Sequence, residues 1–252
     1  MSAVIIIPAR YASSRFLGKP LAPLKGADGA MKPLIQRTWE AATAVRGVSA
    51  IYVATDDVRI AECAQGFGAD VVMTGEVCRN GTERCAEAIA NLDISPDIVV
   101  NFQGDAPLTP PWFVEDLIAG LSGKPEFSVA TPVLRCDDQA RARFVEDRRN
   151  GKVGGTTAVF DAGRRALYFS KEVLPFGQAD VFHHVGVYAY RPSALEAYAT
   201  CSEGALERAE GLEQLRFLEN GEPILCVEVD ARGQSFWELN NPQDIERIEA
   251  VL

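Results

Sequence analysis

The stretch VIIIPARYASSRFLGKP (residues 4–20) sets two kinds of chemistry side by side. Residues 4–7 are β-branched and apolar at every position, as in a strand buried on both faces of a parallel sheet. The run stops at Pro8. Arg10, Arg15 and Lys19 then follow, separated by the small residues Ala9, Ala12, Ser13, Ser14 and Gly18. A buried strand that opens into a small-residue, cationic loop calls for a ligand-binding reading. Small residues let backbone amides approach an anion, and the cations supply the charge that a phosphate requires.

Helical and extended segments alternate behind this stretch. Residues 33–45 carry Leu34, Ile35, Thr38, Trp39 and Ala42 at helical spacing, and 50–55 (AIYVAT) reads as a second buried strand. A short helix over 58–67 and a third strand over 71–73 come next. Residues 82–92 place Cys85, Ala86, Ile89 and Leu92 on one helical face, and DIVVNFQGD (97–105) is a fourth strand ending in an acid. This order predicts an α/β fold with a doubly wound, mainly parallel sheet. Such sheets bind ligands beyond the carboxyl ends of their strands. The cationic loop, NGTER (80–84) and QGDAP (103–107) lie at those ends and are expected to converge.

After Thr131 the pattern changes to a smaller antiparallel excursion. Residues 137–149 are dense in both charges, a helix or an exposed segment, while 158–169 and 184–190 read as strands. One helix is expected over 204–221, with Leu206, Leu212, Leu215 and Leu218 recurring along it. A strand over 224–229 precedes a closing helix over 241–252, with Asn241 as N-cap and Pro242 in the first turn. No repeat or linker interrupts the chain, so 1–252 is expected to form a single domain.

Composition narrows the function. A net charge of −10 disfavours nucleic acid, which needs a basic surface. The cations are unevenly spread, however: positions 1–37 hold six Lys or Arg residues and one acid, Asp28. A local cationic island suits a small polyanion. No apolar run approaches the ~20 residues that cross a bilayer, and the opening residues lack the pattern of a signal peptide, so a cytoplasmic protein without a membrane partner is expected. Six scattered cysteines with no Cys-x-x-Cys pair suggest reduced thiols. His183 and His184 are the two histidines, and in an extended segment they would point to opposite faces rather than share a metal.

Taken singly, the motifs are modest. The loop has neither GxGxxG nor a Walker A pattern. Asp105 could be a turn-former, and becomes a magnesium candidate only beside phosphate-binding cations, because Mg²⁺ is usually held by one or two carboxylates plus substrate phosphates. NGTER alone could be a turn and helix cap, with Thr82 bonding a first-turn amide.

Together they are distinctive. PARYASSRFLGKP, YVATDD, NGTER, NFQGDAP, ALYFSKEVLPFG, HHVGVYAYR and LERAEGLEQLR occur in the order found in the 3-deoxy-manno-octulosonate cytidylyltransferases. The chain resembles that family from Val4 to the C-terminal helix. The resemblance implies a Rossmann-like nucleotidyltransferase sheet, CTP and an acidic sugar as substrates, Mg²⁺ as cofactor and a homodimer. It implies that Pro8, Ala9, Arg10, Ser13, Ser14, Arg15 and Lys19 bind the nucleotide and its phosphates. Gly81, Thr82, Arg84 and Gln103 would lie around the nucleotide, and Gln103 would reach the sugar as well. Arg10, Arg15, Lys19 and Asp105 would carry catalysis. Lys171, His184, Tyr188, Glu213 and Gln214 would face the acceptor. Asp105 and Asn240 would hold the metal.

Four positions depart from the family pattern. The run Val-Asp-Thr-Pro-Glu-Asp is here Leu239-Asn240-Asn241-Pro242-Gln243-Asp244, so a metal-ligating carboxylate has become an amide; Glu238, two residues earlier, could compensate in part. The arginine of Leu-Tyr-Phe-Ser-Arg is Lys171, which lacks a planar fork for a carboxylate. Thr157 stands where the family has lysine, and Ala106 where it has an acid. The nucleotide side is largely intact and the acceptor side edited. A transferase acting on another acidic sugar or small acid, and a non-catalytic nucleotide-binding relative, are the alternatives. A glycosyltransferase would usually show Asp-x-Asp, and QGDAP has a single Asp.

Overall fold

In the computed structural model, which describes residues 2–12, 16–152, 155–177, 179–234 and 236–252, strand β1 spans Ala3–Ala9 and all seven of its residues are buried. The chain, expected as a single domain, divides into two compact units, Met1–Glu115 with Ala231–Leu252, and Asp116–Asp230.

In the first unit, a short antiparallel hairpin of β2 (Pro23–Lys25) and β3 (Met31–Pro33) leads into helix α1 (Leu34–Thr43). Helix α1 buries Leu34, Ile35, Thr38 and Ala42, the stripe read from its spacing. Strand β4 (Ala50–Thr55) is next. Helix α2 (Val58–Gly66) is capped by Asp57, whose carboxylate accepts from the Arg59 amide at 2.9 Å. Strand β5 (Asp70–Met73), helix α3 (Gly81–Ala90) and strand β6 (Ile98–Asn101) complete the alternation, and helix α4 (Pro111–Gly123) leads out of the unit. Strand β1 pairs in parallel with β4 on one side and β6 on the other, and β4 pairs in parallel with β5, giving the order β5-β4-β1-β6. Chain order therefore reverses between β1 and β6. That is the switch point at which a doubly wound sheet leaves a crevice at its carboxyl edge.

The second unit is built on β7 (Val129–Arg135), which pairs antiparallel with β10 (Phe182–His184) and β11 (Tyr188–Tyr190) and parallel with β12 (Ile224–Glu228). Helix α5 (Asp138–Arg149) buries none of its residues, in keeping with its charge. The single strand expected over 158–169 is a hairpin, β8 (Thr156–Phe160) and β9 (Ala166–Ser170), because Asp161 accepts from the Arg165 amide and Arg164 takes a left-handed conformation in the turn. The strand expected over 184–190 is likewise two, β10 and β11. Helix α6 (Pro192–Thr200) comes after them. The long helix expected over 204–221 is also divided, into α7 (Ala205–Glu210) and α8 (Leu215–Glu219), because Gly211 ends the first with φ +62°. Leucine spacing signalled a buried face but not that break.

The C-terminal segment belongs to the first unit. Asn241 and Asp244 form the expected cap as a reciprocal capping box, but the closing helix is short: a single 3-10 turn (Pro242–Asp244) leads into α9 (Ile245–Glu249). Leu239 and Ile248 bury themselves against Ala22, Leu24 and Leu34. Among the described residues no helix is long and apolar enough to cross a membrane, and all six cysteines are free.

Candidate active site

The three loops expected to converge do so at the switch point of the first unit. Gly18, in the left-handed region with φ +69°, donates its amide to the Tyr11 carbonyl at 2.9 Å and so closes the loop after β1. Lys19 begins a 3-10 turn there, and its Nζ lies 2.5 Å from Asp105 Oδ2, just beyond β6. Their side chains are 14% and 23% exposed. The pair is thus largely shielded, where charges interact strongly, yet still open to an incoming ligand. Gly104 explains how the two strand ends approach so closely: a Cβ there would stand 2.5 Å from the Pro8 carbonyl oxygen. Its own carbonyl accepts from Thr38 Oγ1 at 3.1 Å, which ties the QGD turn to α1.

The N-terminus of α3 closes on the same place. Asn80, rather than Thr82, supplies the cap: its side chain accepts from the Glu83 amide at 2.8 Å. A Cβ at Gly81 would lie 3.0 Å from Gln103 Nε2 and 3.2 Å from Asn101 Nδ2, so NGTER packs directly on the end of β6. Arg10 reaches toward it, its Nη1 donating to the Arg79 carbonyl at 3.3 Å. Pro8, Ala9, Arg10, Lys19, Gly81, Thr82, Gln103 and Asp105 are therefore brought together. Ser13, Ser14 and Arg15 lie outside the described residues.

Arg84 is placed differently from a free phosphate clamp. It is buried, with Nη1 on Thr74 Oγ1 at 2.5 Å and Nη2 3.4 Å from Asp56 Oδ2. It ties together the segments after β4 and β5. Asn101 went unnoticed in the sequence: it is fully buried, and neither of its amide atoms has a hydrogen-bond partner among the described residues. A lone polar residue ending an apolar strand was the available signal.

Asn240 stands beside Asp105 through the main chain, since the Leu239 amide donates to the Asp105 carbonyl at 2.8 Å. Order in the 240–244 turn comes from Asp244, whose Oδ2 accepts from the amides of Asn240 (3.0 Å) and Asn241 (2.7 Å). Among the described residues no three His, Cys, Asp or Glu side chains gather as a metal centre. One carboxylate and one amide oxygen on adjoined segments fit a hard cation completed by phosphate oxygens, and do not fit an all-protein site.

In the second unit, His183 and His184 point to opposite faces of β10. His183 packs on Phe144, ring centroids 5.1 Å apart; His184 packs on Phe169 at 4.9 Å and Tyr188 at 5.6 Å. His184 Nε2 lies 3.0 Å from the Thr131 hydroxyl. Burial pushes the His184 pKa down to about 3, with its histidine neighbour adding to the effect, so the ring is neutral near neutral pH. Tyr188 stacks on Tyr190. Gln214 is buried and its Nε2 has no partner among the described residues, while the Glu213 carbonyl accepts from the Tyr198 hydroxyl at 3.2 Å. Lys171 follows β9, and its Nζ lies beside Gly211. Thr157 does not replace a cation here. Its buried hydroxyl donates to the Glu172 carbonyl (2.7 Å) and accepts from the Leu174 amide (3.2 Å), pinning the turn after β9.

A family model described as cytidylyltransferase matches residues 4–224. The chain belongs to the cytidylyltransferase family. It is 43% identical over 257 residues to the 3-deoxy-manno-octulosonate cytidylyltransferase of Maricaulis maris (strain MCS10), an alignment covering 100% of this chain and 97% of the relative. It is 42% identical to the 8-amino-3,8-dideoxy-manno-octulosonate cytidylyltransferase of Shewanella pealeana (strain ATCC 700345 / ANG-SQ1), covering 100% and 99%. The fold matches a solved CMP:2-keto-3-deoxy-manno-octonic acid synthetase complexed with CTP, with a TM-score of 0.86, 36% identity and 99% and 98% of the two chains covered. This cytidylyltransferase is accordingly an enzyme, a CTP-dependent nucleotidyltransferase. Its Lys19–Asp105 pair stands at the switch point where its sheet would receive a nucleotide.

Proposed function

We propose that this cytidylyltransferase joins CTP to a 3-deoxy-octulosonate acid sugar, forming a CMP-sugar and pyrophosphate. The observation that carries the reading is the Lys19–Asp105 pair at the β1–β6 switch point, held by a glycine that alone fits against Pro8. The anomeric hydroxyl of the sugar attacks the α-phosphorus in line. A new O–P bond forms, the α–β phosphoanhydride bond breaks, pyrophosphate leaves and the hydroxyl proton is lost. No protein nucleophile is required.

On this reading Lys19 and Arg10, with Arg15 from the same loop, hold phosphate oxygens and offset the charge that develops on the leaving pyrophosphate. Gly81, Thr82 and Gln103 line the nucleotide, and buried Arg84 keeps the loops after β4 and β5 in place. Asp105 and Asn240 would hold Mg²⁺, which when bound supplies charge neutralisation at the phosphates. Lys171 takes the acceptor's carboxylate. Neutral His184, Tyr188, Glu213 and the buried amide of Gln214 receive its hydroxyls. A cytoplasmic homodimer also belongs to the reading, and light scattering on the purified chain tests the dimer.

The deciding experiment is pyrophosphate release with CTP, Mg²⁺ and either 3-deoxy-manno-octulosonate or its 8-amino-3,8-dideoxy analogue. Turnover with one or both is expected, and none with ATP or GTP; a purine triphosphate used equally well would overturn the assignment. The metal reading has its own test in Asn240→Asp, which restores a charged ligand. A gain of ~1.4 kcal/mol would lower the half-saturating Mg²⁺ concentration about tenfold. An unchanged Mg²⁺ curve would mean that Asn240 only orders the turn.

A further inference from the structure

Glu210 is the last residue of α7, and Gly211 is its left-handed cap. The Glu210 carboxylate turns toward the end of β9. Its Oε1 accepts from Ser170 Oγ at 2.7 Å and lies 3.4 Å from the Tyr168 hydroxyl, while its Oε2 accepts from the Lys171 main-chain amide at 2.9 Å. Donors from residues 168, 170 and 171 thus end on one carboxylate. The Lys171 side chain also meets this corner. A Cβ built on Gly211 would stand 2.9 Å from Lys171 Nζ, closer than real Cβ atoms come to a neighbour. The ammonium rests against the bare backbone of Gly211, and a side chain there would push it aside.

We infer that the Glu210–Gly211 corner is a positioning device for Lys171, and so a determinant of which acceptor the enzyme takes. The inference rests on the proposed reading in which Lys171 binds the acceptor's carboxylate. A lysine carries a compact charge on a flexible four-carbon stem, without the pre-organised fork of arginine. Left alone it would hold an anion loosely. Glu210 fixes where the stem starts, and the bare backbone of Gly211 leaves a seat where it ends. The two residues therefore supply from outside the side chain the order that lysine lacks. A carboxylate that merely caps the strand end would hold the fold together equally well, but would have no bearing on one substrate rather than the other.

Glu210→Gln removes the charge and loosens the corner, because its oxygen can accept from the Lys171 amide only if its Nε2 donates to Ser170 Oγ, which already accepts from the Glu172 amide at 3.0 Å. Gly211→Ala places a Cβ against the seat and also strains a left-handed cap, so its effect on KM is read beside its thermal midpoint. Both are compared with the full-length wild type by pyrophosphate release, with KM measured separately for CTP and for 3-deoxy-manno-octulosonate, and with thermal midpoints recorded. The expected result is an acceptor KM raised about tenfold in each variant, with the KM for CTP within about twofold of wild type. In a Lys171→Ala background neither change should raise the acceptor KM further, since contacts acting through one side chain are not additive. Full additivity in that background, or folded Glu210→Gln with a wild-type acceptor KM, would overturn the inference. Should Gly211→Ala fail to fold, Glu210→Gln alone decides. An unaltered acceptor KM in Lys171→Ala would instead remove the underlying assignment of Lys171, a distinct outcome. Loss of stability with both KM values unchanged would leave the corner a structural cap and nothing more.

Discussion

The two units place their candidate side chains by different means. In the first, they ride on loops at the carboxyl ends of parallel strands, and opposite charges are already paired: Lys19 with Asp105, Arg84 with Asp56. In the second, the candidate residues sit largely within an antiparallel sheet and the helical corner beside it. There the groups are mostly neutral, such as His184 with its depressed pKa and Gln214 with its buried amide. A site for phosphates needs charge delivered to a crevice. A site for a sugar acid needs a few charges and many well-placed dipoles. The first can be assembled from short local motifs, and the second only by packing distant strands.

The largest expected effects lie in the first unit. Asp105→Asn removes the charge that pairs with Lys19 and, on the proposed reading, the charge that would anchor the metal. A charge-assisted contact alone is worth ~1.5–3 kcal/mol, so turnover should fall at least about a hundredfold while the thermal midpoint stays near wild type. Lys19→Ala should cost roughly ten- to a hundredfold in the same assay. Near-wild-type turnover in both would mean that the charge pairing is incidental, and would erase the contrast between the units.

Gly104→Ala should come next. Its Cβ would meet backbone rather than a yielding side chain, since the Pro8 oxygen is 2.5 Å away. Strand ends must then separate, at a cost of about 1–3 kcal/mol measurable by denaturant titration. A fully stable, fully active Gly104→Ala would show that β1 and β6 are not held as tightly as the site requires.

The smallest effect sharpens the contrast from the second unit. His184 has a folded pKa of about 3, against ~6.5 when unfolded. Between those values the unfolded chain binds the extra proton, so the contribution of His184 to stability is fully present above pH ~6.5. It is lost as pH falls below that value, by at most about 1.4 kcal/mol per pH unit. Comparing wild type with His184→Gln at pH 7 and pH 5 should show a smaller acid-side loss in the variant. Equal losses would place His184 in a wetter setting than its burial indicates.

Much of the first unit was legible in the sequence because its signals are local. A four-residue β-branched run, a small-residue cationic loop and an acid closing the next core strand fix the strand, the ligand edge and the charge. The cap on α3 was legible as a cap, though Asn80 rather than Thr82 provides it. The breaks in the second unit were not legible. Residues 158–169 and 184–190 read as continuous strands although Gly163 and Gly186 stand at their breaks, because strand-forming residues resume within a few positions of each glycine. Residues 204–221 read as one helix because leucine spacing survives a single left-handed glycine.

What the sequence alone determined, then, is the parallel α/β class, the cationic character of the stretch after the first strand and the family to which the chain belongs. Each rests on side-chain type and near-neighbour spacing. Tertiary structure alone decided that Gly104 must be glycine, that Arg84 is spent on Asp56 and Thr74, that Thr157 pins a turn, and that Glu210 and Gly211 frame Lys171. All four depend on atoms brought together from separate elements, where distance and desolvation, not residue identity, set what a side chain can do.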